Sequence, residues 1–309
     1  MTIDILRALT LDYEKVFDKL CNFIKSSLDL FEKDGVVIGL SGGIDSAVTA
    51  SLSVKALGPD KVLGLILPER DSEAENIKDA KYLAEKLKIN YKTINLSPIF
   101  RRIGLYDILP NKVAKNKKEL EKRFRNIRRS STFTMVHSRS LIGLNTSKIK
   151  SGPATAFAMT KVRLRSVIIN YYARYNNYIS VGSTNKTEYT IGHYDKHGDG
   201  ACDISPLLPL YKTQVKQLAK FLGVPRKIIM KAPSPDILIG KVITDEFIIG
   251  MSFDQLDAIL YLLENGMKNS QIAERLNIDV KIVDDIQNAI ENEGFRSTLP
   301  LTPEISDLT

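Results

Sequence analysis

The 309 residues carry 43% hydrophobic and 26% charged side chains, proportions that exclude a disordered chain and suit one large core or two modest ones. No apolar run reaches the roughly 18 residues needed to span a bilayer, and Asp4 and Arg7 break the start of the chain, so neither a membrane span nor a signal peptide is expected. The net charge of +8 hints at a polyanionic partner, while Cys21 and Cys202 stand far apart without a partner motif, which argues against a disulfide scaffold or zinc site and fits a reducing cytoplasm.

Val16, Leu20, Phe23, Ile24 and Phe31 recur at helical spacing, with Glu and Lys between them, and predict an amphipathic opening helix with these residues on its apolar face. Val36-Val37-Ile38-Gly39-Leu40 reads as a buried strand that runs into Ser-Gly-Gly. A helix from Ile44 to Leu57 follows and is closed by Gly58-Pro59. Val62 to Leu67 predicts a second strand ending at Pro68. Ala74, Ile77, Ala80, Tyr82, Leu83 and Leu87 mark a helix, and Tyr91 to Ile94 a third strand. Strand–helix alternation at this spacing predicts a parallel sheet with right-handed crossovers.

Residues 101–158 break the rhythm. A basic, helix-like piece over Lys112 to Arg129, a Ser/Thr-rich run and Ser151-Gly152-Pro153 make a long excursion of the kind that serves as a lid, a subunit contact or a mobile loop. The charge gathers here: residues 101–165 hold 17 Lys and Arg against 3 Asp and Glu, leaving 27 basic and 33 acidic residues elsewhere. An acidic protein with one basic insert is a different object from a uniformly basic one, and phosphorylated small substrates account for part of that charge. Alternation then resumes with a helix over Ala156 to Tyr175, a strand over Tyr178 to Val181 and a helix over Lys212 to Leu222. Residues 253–293 read as wholly helical. Their last two pieces imitate a helix-turn-helix, but 9 acids against 3 bases would repel phosphate, so a helical cap is expected and a nucleic-acid partner is not.

The chemistry-bearing motif is Ser41-Gly42-Gly43-Ile44-Asp45-Ser46, between a strand and a helix. Paired glycines let backbone N–H groups approach an anion, and the following helix adds its positive N-terminal end. No Walker lysine follows. An aspartate stands in the cradle instead, which makes sense where it holds Mg²⁺ that is itself bound to phosphate.

This stretch resembles the pyrophosphate loop of the ATP pyrophosphatases. Gly182-Ser183-Thr184-Asn185-Lys186-Thr187-Glu188, the run from Lys196 to Pro206, and Leu210-Tyr211-Lys212-Thr213 resemble the signature of the NAD synthetases. Leu222 to Pro225 and Pro233-Ser234-Pro235-Asp236 continue it in order. The resemblance implies an α/β fold, a doubly wound parallel five-stranded sheet of the adenine nucleotide alpha hydrolase-like kind, with the C-terminal helical cap, in one synthetase domain over residues 1–309. It implies a cytoplasmic, homodimeric ligase that adenylates deamido-NAD with ATP and then amidates it with ammonia, either free or supplied by a separate glutaminase. Position by position it assigns ATP to Gly39, Leu40, Ser41, Gly42, Gly43, Ile44, Asp45, Ser46, Ser183, Lys212 and Ser234. It assigns Mg²⁺ to Asp45 and Glu188, and the acid substrate to Arg163, Lys196 and Asp203. Asp45 and Asp199 are the catalytic candidates, Asp199 as acceptor of the proton that ammonia loses.

The chain departs from the family pattern mainly on the side of the acid. Met159 stands where an Asn is usual, Gly294-Phe295 replace a His-Lys pair with Arg296 kept, the Lys241 to Glu246 segment is two residues longer, and Ile248 replaces a glutamate two positions before Gly250. Another carboxylate substrate therefore stays open as an alternative, and a tRNA-modifying enzyme of the same loop group more distantly. His193 and His197 are expected to face solvent, and Tyr171, Tyr172, Tyr175 and Tyr178 to serve core and subunit packing.

Overall fold

The computed structural model describes residue 5 and residues 7–108, 152–232 and 244–297. Four strands, β1 (Gly35–Gly39), β2 (Val62–Ile66), β3 (Asn90–Thr93) and β4 (Tyr178–Val181), pair in parallel in the order β3-β2-β1-β4. Val36 pairs with Val62 on one side and with Ile179 on the other. The expected fifth strand is not among the described residues. Residues 203–204 run beside β4, where Asp203 N and Ile204 N donate to Ser180 O, but the pairing stops at one bridge between Val181 and Ile204. Two residues on, Pro206 offers no N–H to extend a ladder.

Along β1, Val36 and Ile38 enter one core and Val37 the other, so the sheet is covered on both faces. The helices α1 (Tyr13–Phe31), α2 (Ile44–Leu57) and α3 (Ala74–Leu87) lie on the first face. The second face takes α4 (Ser97–Arg102), α5 (Leu105–Ile108) and the long α6 (Gly152–Tyr175). The strand α6 leads into is followed by α7 (Lys186–Thr190) and then α8 (Lys212–Phe221), which returns to the first face. After α9 (Arg226–Ile229) and α10 (Asp245–Ile249), the helices α11 (Phe253–Glu264), α12 (Asn269–Leu276) and α13 (Val280–Ser297) build a separate apolar cluster with Ile5, Leu9 and Tyr211.

Two local expectations change. The buried stripe of α1 is Leu20, Cys21, Ile24, Ser27 and Leu28, whereas Phe23 and Phe31 are each 42% exposed. Spacing from Phe23 and Phe31 mixes two faces, and the closer i, i+4 series is the one that meets α2. The last part of the 101–158 insert is already helix, because α6 begins at Gly152, with Pro153 at a position a first helical turn accepts.

The N-terminal half of α6 is tied to the loop after β2 by buried charges. Lys161, with no exposed side-chain surface, donates to Glu69 Oε1 at 2.9 Å and to Asp71 Oδ2 at 2.5 Å. Its ammonium lies 4.1 Å from the centre of the Phe157 ring. Tyr106 Oη donates to Glu69 Oε2 at 2.8 Å, and Arg70 Nε to Asp71 Oδ1 at 2.7 Å. Burial works to raise the Asp71 pKa, but the bonds from Arg70 and Lys161 outweigh it and hold the carboxyl below its ordinary range. Lys161→Met would leave two buried carboxylates short of their cation, so urea denaturation is expected to show a loss of about 3 kcal/mol. A midpoint unchanged from wild type would refute the structural weight given to this cluster.

Candidate active site

The order β3-β2-β1-β4 places a switch of direction at β1 and β4, the position where open α/β sheets bind ligands beyond the carboxyl ends of their strands. A cavity of about 430 Å³ opens there. Its walls come from the loop after β1, the end of β2, Met159 and Arg165 of α6, and Ser180 to Thr184.

Ser41 to Ser46 fold into a loop closed by its own hydroxyls. The oxygens of Ser41 and Ser46 are 3.0 Å apart, Ser46 Oγ donates to Gly43 O, and Gly43 N donates to Ser41 Oγ at 3.2 Å. Gly42 has φ +78°, and a β-carbon there would run into the backbone of Asn76. Gly43 is the N-cap of α2 and provides no side-chain cap, so the first-turn N–H groups of α2 are left for an anion.

The charged centre joins three elements. Lys212, 1% exposed, donates to Asp45 Oδ2 at 2.6 Å and to Glu188 Oε1 at 3.0 Å. Asn185 at the N-cap of α7 accepts from Glu188 N and donates its Nδ2 to Asp45 Oδ1 at 3.0 Å. Burial lifts Glu188 to about 7, with Lys212 opposing and Asp45 adding to the rise. Lys212 is held above its ordinary pKa because its two carboxylates outweigh the cost of burial. Two carboxylates converging on one cation are the hard-oxygen donor set that Mg²⁺ takes alongside phosphate oxygens and water, so the residues present fit that ion.

Asp257 of α11 explains how these pieces keep their places. Fully buried, it accepts from Thr187 Oγ1 at 2.5 Å and from Thr213 N at 2.8 Å, and Lys212 N donates to Thr187 Oγ1. The C-terminal helices thus fix both Glu188 and Lys212. Asp199 lines the cavity and accepts from Asp195 N at 2.7 Å; loss of hydration raises its carboxyl to about 6 against the backbone N–H bonds that lower it. His193 does not face solvent as expected. It lines the cavity, with Nε2 3.4 Å from Asp245 Oδ1. Burial lowers its pKa, but Asp245 prevails and the net shift is upward.

Of the residues picked out from sequence, Gly39 to Ser41, Gly43 to Ser46, Ser183, Glu188, Asp199 and Lys212 line this one cavity, and Gly42 does not. Arg163, Lys196 and Asp203 are not among its lining residues. Arg163 Nε donates to Asp195 Oδ2 with its side chain 51% exposed, and Asp203 accepts from Ser180 N and Oγ and from Arg174. Arg165 rather than Arg163 is on the cavity wall. Ser234 and Lys241 to Ile243 lie outside the described residues, as do the side chains of Ile248, Gly294, Phe295 and Arg296. Sequence reading missed Asn185, Asp257, Lys161 and Lys231. Asn185 had a signal, since Asn followed by Glu at the third helical position is a capping-box pattern.

A strand-end glycine loop leading into an uncapped helix, at a sheet switch point and beside two carboxylates, defines an α/β nucleotide-binding protein of the pyrophosphate-loop class. A model of the NAD synthase family matches residues 16–152 and 145–300. The NH(3)-dependent NAD(+) synthetase of Thermotoga maritima is 38% identical over 290 residues, covering 92% of this chain and 98% of the relative. That of Methanocaldococcus jannaschii is 36% identical over 292 residues, covering 94% and 97%. The solved NMN synthetase of Francisella tularensis superimposes with a TM-score of 0.69 at 29% identity, over 96% of this chain and 100% of that one. The chain belongs to the NAD synthase family.

Gly42→Ala should cost at least about 1–2 kcal/mol from the left-handed backbone alone, read as a fall in Tm, because Asn76 leaves its β-carbon no room. A variant as stable as wild type would show that the loop adopts another path.

Proposed function

We propose that this chain is an ammonia-dependent ligase that converts deamido-NAD, ATP and ammonia into NAD, AMP and pyrophosphate by way of an acyl-adenylate. The observation that carries the reading is the Lys212 ammonium bonded to both Asp45 and Glu188 beside an uncapped phosphate loop. A carboxylate acylates poorly because its leaving group would be oxide. Its attack on the α-phosphorus of ATP replaces that group with AMP, and a nucleophile as simple as ammonia can then displace AMP. No side-chain nucleophile is needed.

In this reading Gly39 to Ser46, Ser183, Lys212 and Ser234 hold ATP, and the first-turn N–H groups of α2 face its phosphates. Asp45 and Glu188 hold Mg²⁺, which when bound supplies charge neutralisation on the departing pyrophosphate. Lys212 keeps the two carboxylates close and adds a positive charge beside the phosphates. Asp199 takes the proton that ammonia loses on attack. Arg163, Lys196 and Asp203 hold the acid substrate, and their place off the cavity fits a site completed by a second copy. Val167, Tyr171 and Tyr175, exposed at 59%, 56% and 72%, follow Arg163 along one face of α6 and offer an apolar stripe for that homodimer. The whole chain is read as one synthetase unit in the cytoplasm, using free ammonia or ammonia from a separate glutaminase. Among the described residues no helix is long and apolar enough to cross a membrane.

Purified protein with Mg²⁺-ATP and ammonium is expected to make NAD from deamido-NAD and to turn over nicotinate mononucleotide poorly. Absence of NAD overturns the activity, and preference for the mononucleotide reassigns the acid. Asp45→Ala should reduce turnover at least about a thousandfold; near-wild-type turnover would remove Asp45 from the mechanism. The raised Asp199 pKa fixes a sign for pH dependence. The carboxyl is neutral below about 6 and cannot accept a proton there, so kcat should fall on acidification with a midpoint near 6. A rate flat from neutrality to well below that value would deny Asp199 its role.

A further inference from the structure

Lys231 follows α9 and belongs to no motif assigned above, yet it lines the cavity and touches the phosphate loop at Gly42. Its Nζ donates to Gly42 O at 3.0 Å and to Asn76 Oδ1 at 2.9 Å, and it pairs with Asp79 Oδ2. Asp79 is 3% exposed and is also paired with Lys227 at 2.9 Å. An ammonium has three hydrogens to donate, and three acceptors surround this one. Lys231 is therefore occupied by the protein and is not a spare cation for phosphate.

The grip on Gly42 falls on the peptide that matters. Gly42 and Gly43 share one peptide unit, whose carbonyl is taken by Lys231 and whose N–H is taken by Ser41 Oγ at 3.2 Å. With no β-carbon on either side, such a peptide turns over easily unless both edges are held. A flip would aim a carbonyl oxygen toward the space that phosphate oxygens are to fill. Lys212 cannot serve as this clamp, because its ammonium is committed to Asp45 and Glu188.

We infer that Lys231 is a positioning residue for the phosphate loop: by holding the Gly42 carbonyl it fixes the facing of the Gly42–Gly43 peptide and thereby sets affinity for the ATP phosphates. The inference rests on the reading of ATP as the nucleotide. In the full chain, Lys231→Met is expected to weaken binding of α,β-methylene-ATP about tenfold by calorimetry, the size of one lost charge-assisted hydrogen bond. The KM for deamido-NAD should stay within about twofold of wild type, a split that general loosening of the structure would not produce. Wild-type affinity for the analogue, or equal losses for analogue and deamido-NAD, overturns the inference. If Lys231→Met does not fold, Lys231→Gln carries the test, since it removes the ammonium that holds Gly42 O and keeps a polar side chain beside Asp79. About threefold weaker analogue binding is expected there, and unchanged binding overturns the inference. Analogue binding needs neither acid nor ammonia, so wild-type protein that binds it but forms no NAD counts against the proposed activity and not against Lys231.

Discussion

The ammonium of Lys212 lies between Asp45, from the helix after the first strand, and Glu188, from the short helix after the last. Without it two carboxylates would face each other in a partly buried pocket, and one would take up a proton. With it they stay paired on one cation. A buried lysine costs several kcal/mol in lost hydration, and the fold meets that cost with full pairing and a fixed backbone. Asn185 ties the two carboxylate-bearing segments to each other, and Asp257 ties both α7 and the start of α8 to the C-terminal helices. The cap is therefore part of the site's geometry, since its removal would free Thr187 and Thr213 together.

Topology explains why residues so distant in sequence meet. With β1 and β4 adjacent and parallel, the loops leaving them emerge side by side at the same end of the sheet. The Ser41 to Ser46 loop and the Gly182 to Glu188 run become two walls of one cavity. The lysine clamps share this logic. Lys212 joins the two loops, Lys231 holds the carbonyl of Gly42 in the first, and Lys161 holds the loop after β2 against α6.

Much of this was legible in sequence because it is local. A β-branched run ending in Ser-Gly-Gly announces strand, turn and helix, and Asp45 and Glu188 stand at motif positions. Lys161, Lys231 and Asp257 carry no such mark: each is a charged residue at an unremarkable place in a helix or beside one, and only the tertiary fold buries it among partners. The burial of His193 is invisible locally for the same reason, since its partner Asp245 lies more than fifty residues away. The stripe of α1 differs for another reason, since helical spacing alone does not say which side α2 occupies. The fifth strand that the family resemblance implies is reduced, among the described residues, to the one bridge at Ile204 beside β4.

Tyr106 and Lys161 meet on the same residue, Glu69, from opposite sides of the basic stretch that separates them in sequence. The chain is therefore pinned where it leaves the α/β frame and where it re-enters, both on a single loop. For a segment whose ends are already held together, added length changes closure entropy only logarithmically, by about 0.6 kcal/mol for each doubling. Growth or shrinkage between α5 and α6 leaves both anchors, and Arg165 beyond them on the cavity wall, where they were. The staple thus makes this point of the fold permissive to changes in length without redesign of the active site.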